Sequence, residues 1–465
     1  MSIWKKDIFF QFINKLKKYP FCVIKNETLE EKMEIIKNCY IITMDKHLSQ
    51  FEYGAVVIEN GEILDIGNEK DILSHYKADN IYDADGNILL PGFINTHTHS
   101  AMTLFRGFAD DLPLNSWLND YIFPSEGKYV CEEFINNGCR IAASEMIRSG
   151  ITTFLDMYFF QDMAGKVFKE AGMRAFLSEG LINFPTPDMK DPEKAIAYVE
   201  DFINKWIGDD LISPAIAAHA PYTCSDELLR NARDLADKYN LVFNIHLSET
   251  AFEVDTILKE KGVRPAFYLD NLGILKEKTI LAHCVHINED ESLLIRDRGS
   301  SIAHNSQSNM KLASGIAPVN MFKRIGINVT IGTDGACSNN NLDIIEEGRE
   351  AALLSKVFEN DPTSLDAKYI LQCLTINGAK ALGMEDNIGS IEKGKKADII
   401  IIDIHTPNMI PLYNPYSQIV YSANQSNVND VMIDGKWVMK NKNILSFDDS
   451  NLFELGEKWK KRIKG

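Results

Sequence analysis

Apolar residues in this chain change their spacing twice, and each change predicts a change of architecture. From about residue 34 to 90 they form short runs broken by turn residues: Ile35 to Thr43, Gly54 to Glu59, Glu62 to Ile66 and Ile81 to Asp83. Asn60-Gly61, between two of these runs, predicts a two-residue hairpin, because both positions of such a turn need the left-handed backbone that Asn and Gly tolerate. The segment reads as a small antiparallel sheet. From about 91 to 383 the pattern alternates. Apolar strands at Phe93 to His97, Ile151 to Asp156, Arg174 to Ser178, Ala215 to His219, Val242 to His246, Thr279 to His283, Ser301 to His304 and Asn328 to Thr333 are separated by helical stretches such as Val130 to Ser149 and Ser225 to Tyr239. Strand, helix, strand in regular succession implies parallel βαβ units, and eight strands predict a closed barrel. Beyond about 384 the chain returns to short β runs, Ala397 to Asp403 and Val431 to Val438, the second with an Asp434-Gly435 turn.

These patterns predict an α/β protein: a TIM-like (β/α)8 barrel over 91–383, a small β-sandwich domain built from 33–90 and 384–445, and a C-terminal helix over 446–465. Residues 1–32 precede a strand-like start at Met33. They are expected to be an accessory extension or the product of a misassigned upstream start, since they lack the apolar core and small-residue cleavage site of a signal peptide.

Composition narrows the class of partner. Hydrophobic residues at 45% and charged residues at 25% of 465 are ordinary for a folded globular protein. A formal net charge of -17 opposes attraction to phosphate backbones or anionic lipid, so neither nucleic acid nor a membrane is expected as a partner. No apolar run approaches the roughly 20 residues that a membrane span requires. Eight cysteines with no C-x-x-C pair read as reduced thiols, which predicts a cytoplasmic protein.

The chemistry gathers where strands end. Pro91-Gly92-Phe93-Ile94-Asn95-Thr96-His97-Thr98-His99-Ser100 closes an apolar run with two histidines spaced by one residue. Side chains alternate faces along a strand, so His97 and His99 project to one side and can share an ion. By itself such a pair is a weak signal, more often an ordinary hydrogen-bonded pair than a metal site. Four more histidines end predicted strands four to seven, namely His219, His246, His283 and His304, and Asp334 follows the eighth. Working residues of a barrel sit at the C-terminal ends of its strands. His97, His99, His246 and Asp334 are therefore expected to converge on one divalent cation per subunit; zinc suits three imidazoles and a carboxylate, and iron or manganese also fits. A dinuclear site commonly needs a carbamylated lysine on the fourth strand, and Ala217-Ala218-His219-Ala220-Pro221 contains none. Glu249, three residues past His246, is placed to move a proton between a water and a substrate ring nitrogen.

Four stretches carry a family resemblance: Pro91 to His99, His246-Leu247-Ser248-Glu249-Thr250, Leu281-Ala282-His283-Cys284-Val285-His286 and Gly332-Thr333-Asp334-Gly335. Together they resemble the amidohydrolase superfamily, and within it the 5′-methylthioadenosine/S-adenosylhomocysteine deaminase branch, over roughly residues 34–443. The resemblance implies hydrolytic deamination at C6 of a 6-aminopurine nucleoside. Glu249 is then the acid/base, His283 orients or deprotonates the water, and Asp334 accepts a proton as ammonia departs. It implies three substrate contacts: Glu126 to the ribose hydroxyls, Arg174 to the 5′ substituent and His219 to the nucleoside. After Arg174 no arginine occurs until Arg230, an absence that favours neutral 5′ groups over the amino-acid tail of S-adenosylhomocysteine. Met102, Phe105, Trp117 and Tyr121 are candidates for an apolar lining. A small nucleoside is the expected partner and a homo-oligomer the expected assembly. Two other readings stand beside this one: a hydrolase of another heteroaromatic ring such as guanine, cytosine or a triazine, and a barrel without catalysis that serves as a scaffold.

Overall fold

The computed structural model describes residues 33–464, and the expectation for residues 1–32 lies outside the described residues. Eight parallel strands, Phe93–Thr98, Ile151–Tyr158, Arg174–Leu181, Ile212–Ala218, Phe243–Leu247, Thr279–His283, Ser301–His304 and Asn328–Ile331, pair in sequence order. They are called here the first to eighth barrel strands. Nearly every residue in them is buried, as expected of parallel strands covered by helices on the outside, and this explains their near-continuous apolar runs. The ring closes between the eighth strand and the first. Thr96 and Thr330 share a hydroxyl hydrogen bond of 2.6 Å, and the Asp334 N–H donates to the His97 carbonyl at 3.0 Å. Asn95 and Thr333 also bond reciprocally, the amide donating to the hydroxyl at 2.8 Å and the Thr333 N–H to the Asn95 oxygen at 3.1 Å. Closure therefore sets Asp334 directly against the His97 strand.

The second sheet takes strands from both ends of the chain, nine in all. It is mixed, where the N-terminal part alone reads as antiparallel: Met33–Ile42 runs antiparallel to Gln50–Glu59 but parallel to Asn80–Asp83 and Ile88–Pro91. The physical reason is the helix Glu69–His75, which carries the chain from the edge strand Glu62–Asn68 across to the far side of Met33–Ile42, a crossover that lets a parallel pairing form. Ile399–Ile402 joins the two halves by pairing with Ile88–Pro91. Both anticipated turns are present in left-handed backbone, Asn60-Gly61 (φ 52° and 82°) and Asp434-Gly435 (φ 50° and 71°). The turns lie back to back. A Cβ on Gly435 would meet Gly61 Cα at 2.4 Å, so only glycine fits there.

Three contacts join sheet and barrel. Arg174, at the first residue of the third barrel strand, is 5% exposed and donates to both oxygens of Asp398 at 3.0 and 3.2 Å, beside Asp434 at 3.8 Å. Between Ile399–Ile402 and Val428–Ile433 the chain leaves the sheet, and its helix Pro415–Tyr421 packs on the barrel helices Ile344–Glu359 and Ala367–Leu374. The terminal helix Leu452–Lys464 buries Trp459 edge-on against Phe134, ring centroids 5.1 Å apart. No helix among the described residues is long and apolar enough to cross a membrane.

Candidate active site

The donors meet at the C-terminal mouth of the barrel. Ring centroids of His97 lie 4.9 Å from those of both His99 and His246, and His99 lies 5.4 Å from His246. Asp334 Oδ1 stands 3.5 Å from His97 Nε2 and 3.1 Å from His99 Nε2. His97, His246, His283 and Asp334 each bring one ligand atom within 4.8 Å of the others'. Five donors thus surround one point, the four named from sequence plus His283. Their chemistry fits a cation. His99 Nδ1 donates to the Met157 carbonyl at 2.5 Å and His246 Nδ1 to the His219 carbonyl at 2.6 Å, which turns each Nε2 toward the common point as the atom that would bind a cation. Those two Nε2 atoms are 3.4 Å apart, and buried His97 Nε2 has no hydrogen-bond partner.

The electrostatics point the same way. Burial disfavours charge on His97 and His246; it lowers His97 to about 4 and His246 well below its usual range. Burial also opposes charge on His99, but the Asp334 carboxylate overcomes it and raises His99 to about 9. Burial opposes charge on Asp334 too, but the nearby imidazoles of His97 and His99 outweigh it and hold its carboxyl well below the usual range. A cluster this buried keeps a carboxylate and a positive charge together.

The loops after the strands hold these groups in strained backbone. Ser248, His283, Cys284 and Asp334 have φ of 51°, 71°, 50° and 59°, the left-handed region that non-glycine residues seldom occupy. Surrounding hydrogen bonds maintain it. Glu253 accepts the N–H groups of Ser248 (2.7 Å) and Glu249 (3.0 Å), and its own N–H is capped by the Thr250 hydroxyl. Asp334 Oδ2 accepts from Ser308 (2.6 Å) and Ser338 (2.9 Å), leaving Oδ1 toward the histidines. Asn309 Oδ1 accepts from His283 Nδ1 at 2.9 Å, which directs His283 Nε2 to within 3.9 Å of Glu249 Oε2.

A pocket opens over this cluster. Glu249, 14% exposed at its side chain, and buried Glu126 both line it; desolvation raises Glu249 above the usual carboxyl range and Glu126 to about 7. Glu126 Oε1 accepts from the Tyr158 hydroxyl at 2.7 Å. His219 lines the same pocket, with Nδ1 2.8 Å from the Thr223 hydroxyl. Met102, Leu114, Trp117, Leu118, Ile122 and Phe184 form the apolar wall, and no Lys or Arg is among the described lining residues.

Two expectations need correction. Arg174 does not reach the pocket: it begins its strand, so it lies at the end opposite the mouth, where Asp398 neutralises it. Of the anticipated apolar lining, Met102 and Trp117 are present, whereas Phe105 is core packed on Phe134 (4.8 Å) and Tyr121 is 41% exposed. His286 donates to or accepts from no donor-cluster residue and pairs instead with the Ser314 carbonyl at 2.8 Å. Sequence reasoning missed Tyr158, Ser308, Asn309 and Ser338. The signal was available: each ends, or lies in the loop directly after, the second, seventh or eighth barrel strand.

A barrel whose mouth gathers imidazoles and a carboxylate beneath a pocket defines a class, the metal-binding (β/α)8 barrels with chemistry at the strand ends. The chain belongs to the amidohydrolase family, which it matches over residues 88–438. It is 44% identical over 435 residues to a 5-methylthioadenosine/S-adenosylhomocysteine deaminase of Thermodesulfovibrio yellowstonii, covering 93% of this chain and 99% of that one. It is 43% identical over 409 residues to a 5′-deoxyadenosine deaminase of Methanothermobacter thermautotrophicus, covering 87% and 93%. Among solved structures, an adenosine deaminase from Xanthomonas campestris with bound zinc superimposes with a TM-score of 0.91 at 38% identity, covering 93% of this chain and 98% of that one. A triazine hydrolase from Arthrobacter aurescens has a TM-score of 0.86 at 21% identity and shares the fold alone.

Proposed function

We propose that the protein is a metal-dependent deaminase that hydrolyses the C6 amino group of a 6-aminopurine nucleoside, releasing ammonia and the inosine-type product. The observation that carries this reading is one pocket in which Glu249 stands over the donor cluster while Glu126 lies on the wall with most of its hydrogen-bonding capacity unused. The names of the relatives support it.

His97, His99, His246 and Asp334 would hold one divalent cation, zinc above iron or manganese, with His283 beside them. When bound, the cation supplies the positive charge that lowers the pKa of a water from 15.7 to about 7. Glu249, whose carboxyl burial raises above the usual range, takes the proton that the attacking water loses and delivers it to purine N1 as the C6 ring carbon is attacked. His283 Nε2 faces Glu249 and orients the attacking water. Asp334 accepts the proton from the new hydroxyl, and that proton leaves with ammonia. Glu126 accepts hydrogen bonds from the ribose hydroxyls, and His219, which lines the same pocket, meets the nucleoside.

The apolar wall and its lack of a described cation favour a neutral 5′ group, as in 5′-methylthioadenosine or 5′-deoxyadenosine. A carboxylate there has no partner. Loss of ultraviolet absorbance on deamination, followed over adenosine, 5′-methylthioadenosine, 5′-deoxyadenosine, S-adenosylhomocysteine, guanine and cytosine, tests the proposal. Turnover of the nucleosides supports it; turnover of the free bases alone overturns it. We also place the protein in the cytoplasm, since the seven cysteines of the described residues are unpaired. A homo-oligomer is inferred from Leu353 and Val357, 47% and 80% exposed one turn apart on a helix, and a monomeric mass in sedimentation would refute it.

A further inference from the structure

Glu126 is a buried carboxylate, 6% exposed, on the wall of the pocket, and Tyr158 is its one protein donor among the described residues. A carboxylate has about four acceptor positions, and leaving them empty in a buried site is costly. No Lys or Arg is among the described lining residues to pair with Glu126, and Trp117, Ile122, Phe123 and Met157 line the same pocket. A ligand that donates hydrogen bonds, replacing water in the free pocket, can complete Glu126.

Tyr158 has the geometry to decide how that ligand is met. It ends the second barrel strand and is 5% exposed. Its backbone is fixed by the parallel pairing of Tyr158 with Glu179 on the third strand, and its ring stacks at a tilt on Phe159 with centroids 4.9 Å apart. Glu126, by contrast, sits on the short helix Phe123–Tyr129 that follows an irregular π-helical turn, Trp117–Ile122. A rigid strand end therefore holds a carboxylate carried by a less regular segment. The hydroxyl occupies Oε1 on one side.

We infer that Tyr158 is a positioning residue for sugar recognition: by binding Glu126 Oε1 it orients the carboxylate so that its remaining lone pairs face a vicinal diol of the substrate. This rests on the nucleoside reading above and adds to it a residue and a selection rule, preference for substrates with both 2′- and 3′-hydroxyls. Tyr158 touches neither the reacting carbon nor the leaving amine in this arrangement, so its effect falls on binding of the sugar.

The test compares kcat/KM for adenosine and 2′,3′-dideoxyadenosine in the zinc-loaded wild type, Tyr158→Phe, Glu126→Gln and the double variant. Wild type is expected to prefer adenosine by about 100-fold, two hydrogen bonds to a charged acceptor, and Tyr158→Phe to cut that preference about tenfold, mainly through KM. On the Glu126→Gln background Tyr158→Phe should change the preference less than twofold, because the partner it orients is no longer a carboxylate. A general packing defect lowers both substrates alike and leaves the ratio untouched; an unchanged ratio in Tyr158→Phe overturns the inference. Wild type that deaminates both nucleosides equally also overturns it, while leaving the deaminase reading standing. Wild type that deaminates no purine nucleoside overturns both.

Discussion

His99 Nε2 and His246 Nε2 face each other across 3.4 Å, each with its Nδ1 already committed to a backbone carbonyl. Two such nitrogens need a positive charge between them, a proton or a metal cation, and His97 and Asp334 complete the shell around the same point. Chelator-treated protein should lose activity, and added zinc should restore it at one ion per chain by elemental analysis. His246→Ala should lower bound metal and cut kcat/KM by at least about a thousandfold, since removing the cation removes its effect on the water. Full activity in metal-free protein would sink the assignment.

Glu249 is held by Ser314 at 3.2 Å and by its own N–H on Glu253, and it contacts the donor cluster only at long range, through His283 at 3.9 Å. Glu249→Gln keeps the shape and removes the proton. Turnover should fall by about 10²–10⁴-fold with metal content unchanged. Near-wild-type turnover by this variant would show that another group carries the proton.

Arg174 and Asp398 form a buried pair between barrel and second sheet, 6% and 2% exposed at their side chains. Breaking one partner leaves the other charge buried, so Arg174→Ala should cost about 3–5 kcal/mol in urea unfolding. KM for the nucleoside should stay within twofold of wild type at a temperature where the variant is folded. A large rise in KM with unchanged stability would restore Arg174 to the substrate.

Glu347 ties two loops of the site together. Its carboxyl accepts from Ser306 (2.6 Å), from the Gln307 N–H (3.0 Å) and from Asn339 (3.2 Å). Burial pushes it up to about 8, against an ordinary value of 4.5. Between those two values the folded state binds more protons than the unfolded state, so this group's contribution to stability is present below about 4.5 and is lost as pH rises toward 8. Glu347→Gln removes that slope: its melting temperature should approach that of the wild type as pH is raised from 5 to 8. Parallel curves across that range would contradict it.

Much of this protein is legible along the chain because the relevant signals are local. Apolar run length and turn residues mark the eight strands, and the rule that barrel chemistry sits at C-terminal strand ends selects His97, His99, His246, His283 and Asp334 without any contact information. Applied consistently, the same rule places Arg174 at the wrong end of its strand; family resemblance alone suggested it for the substrate, and Asp398, 224 residues away, is what receives it.

Sequence by itself therefore determined the elements, their order and which residues stand at the mouth, since side-chain periodicity is a property of neighbouring residues. Only the tertiary structure decided which nitrogen of each histidine is free, which oxygen of Asp334 the serines occupy, and that Tyr158 reaches Glu126. Those outcomes depend on ring closure and on loops from different strands meeting, where partners lie tens to hundreds of residues apart and a hydrogen bond forms only if both ends arrive within about 3 Å.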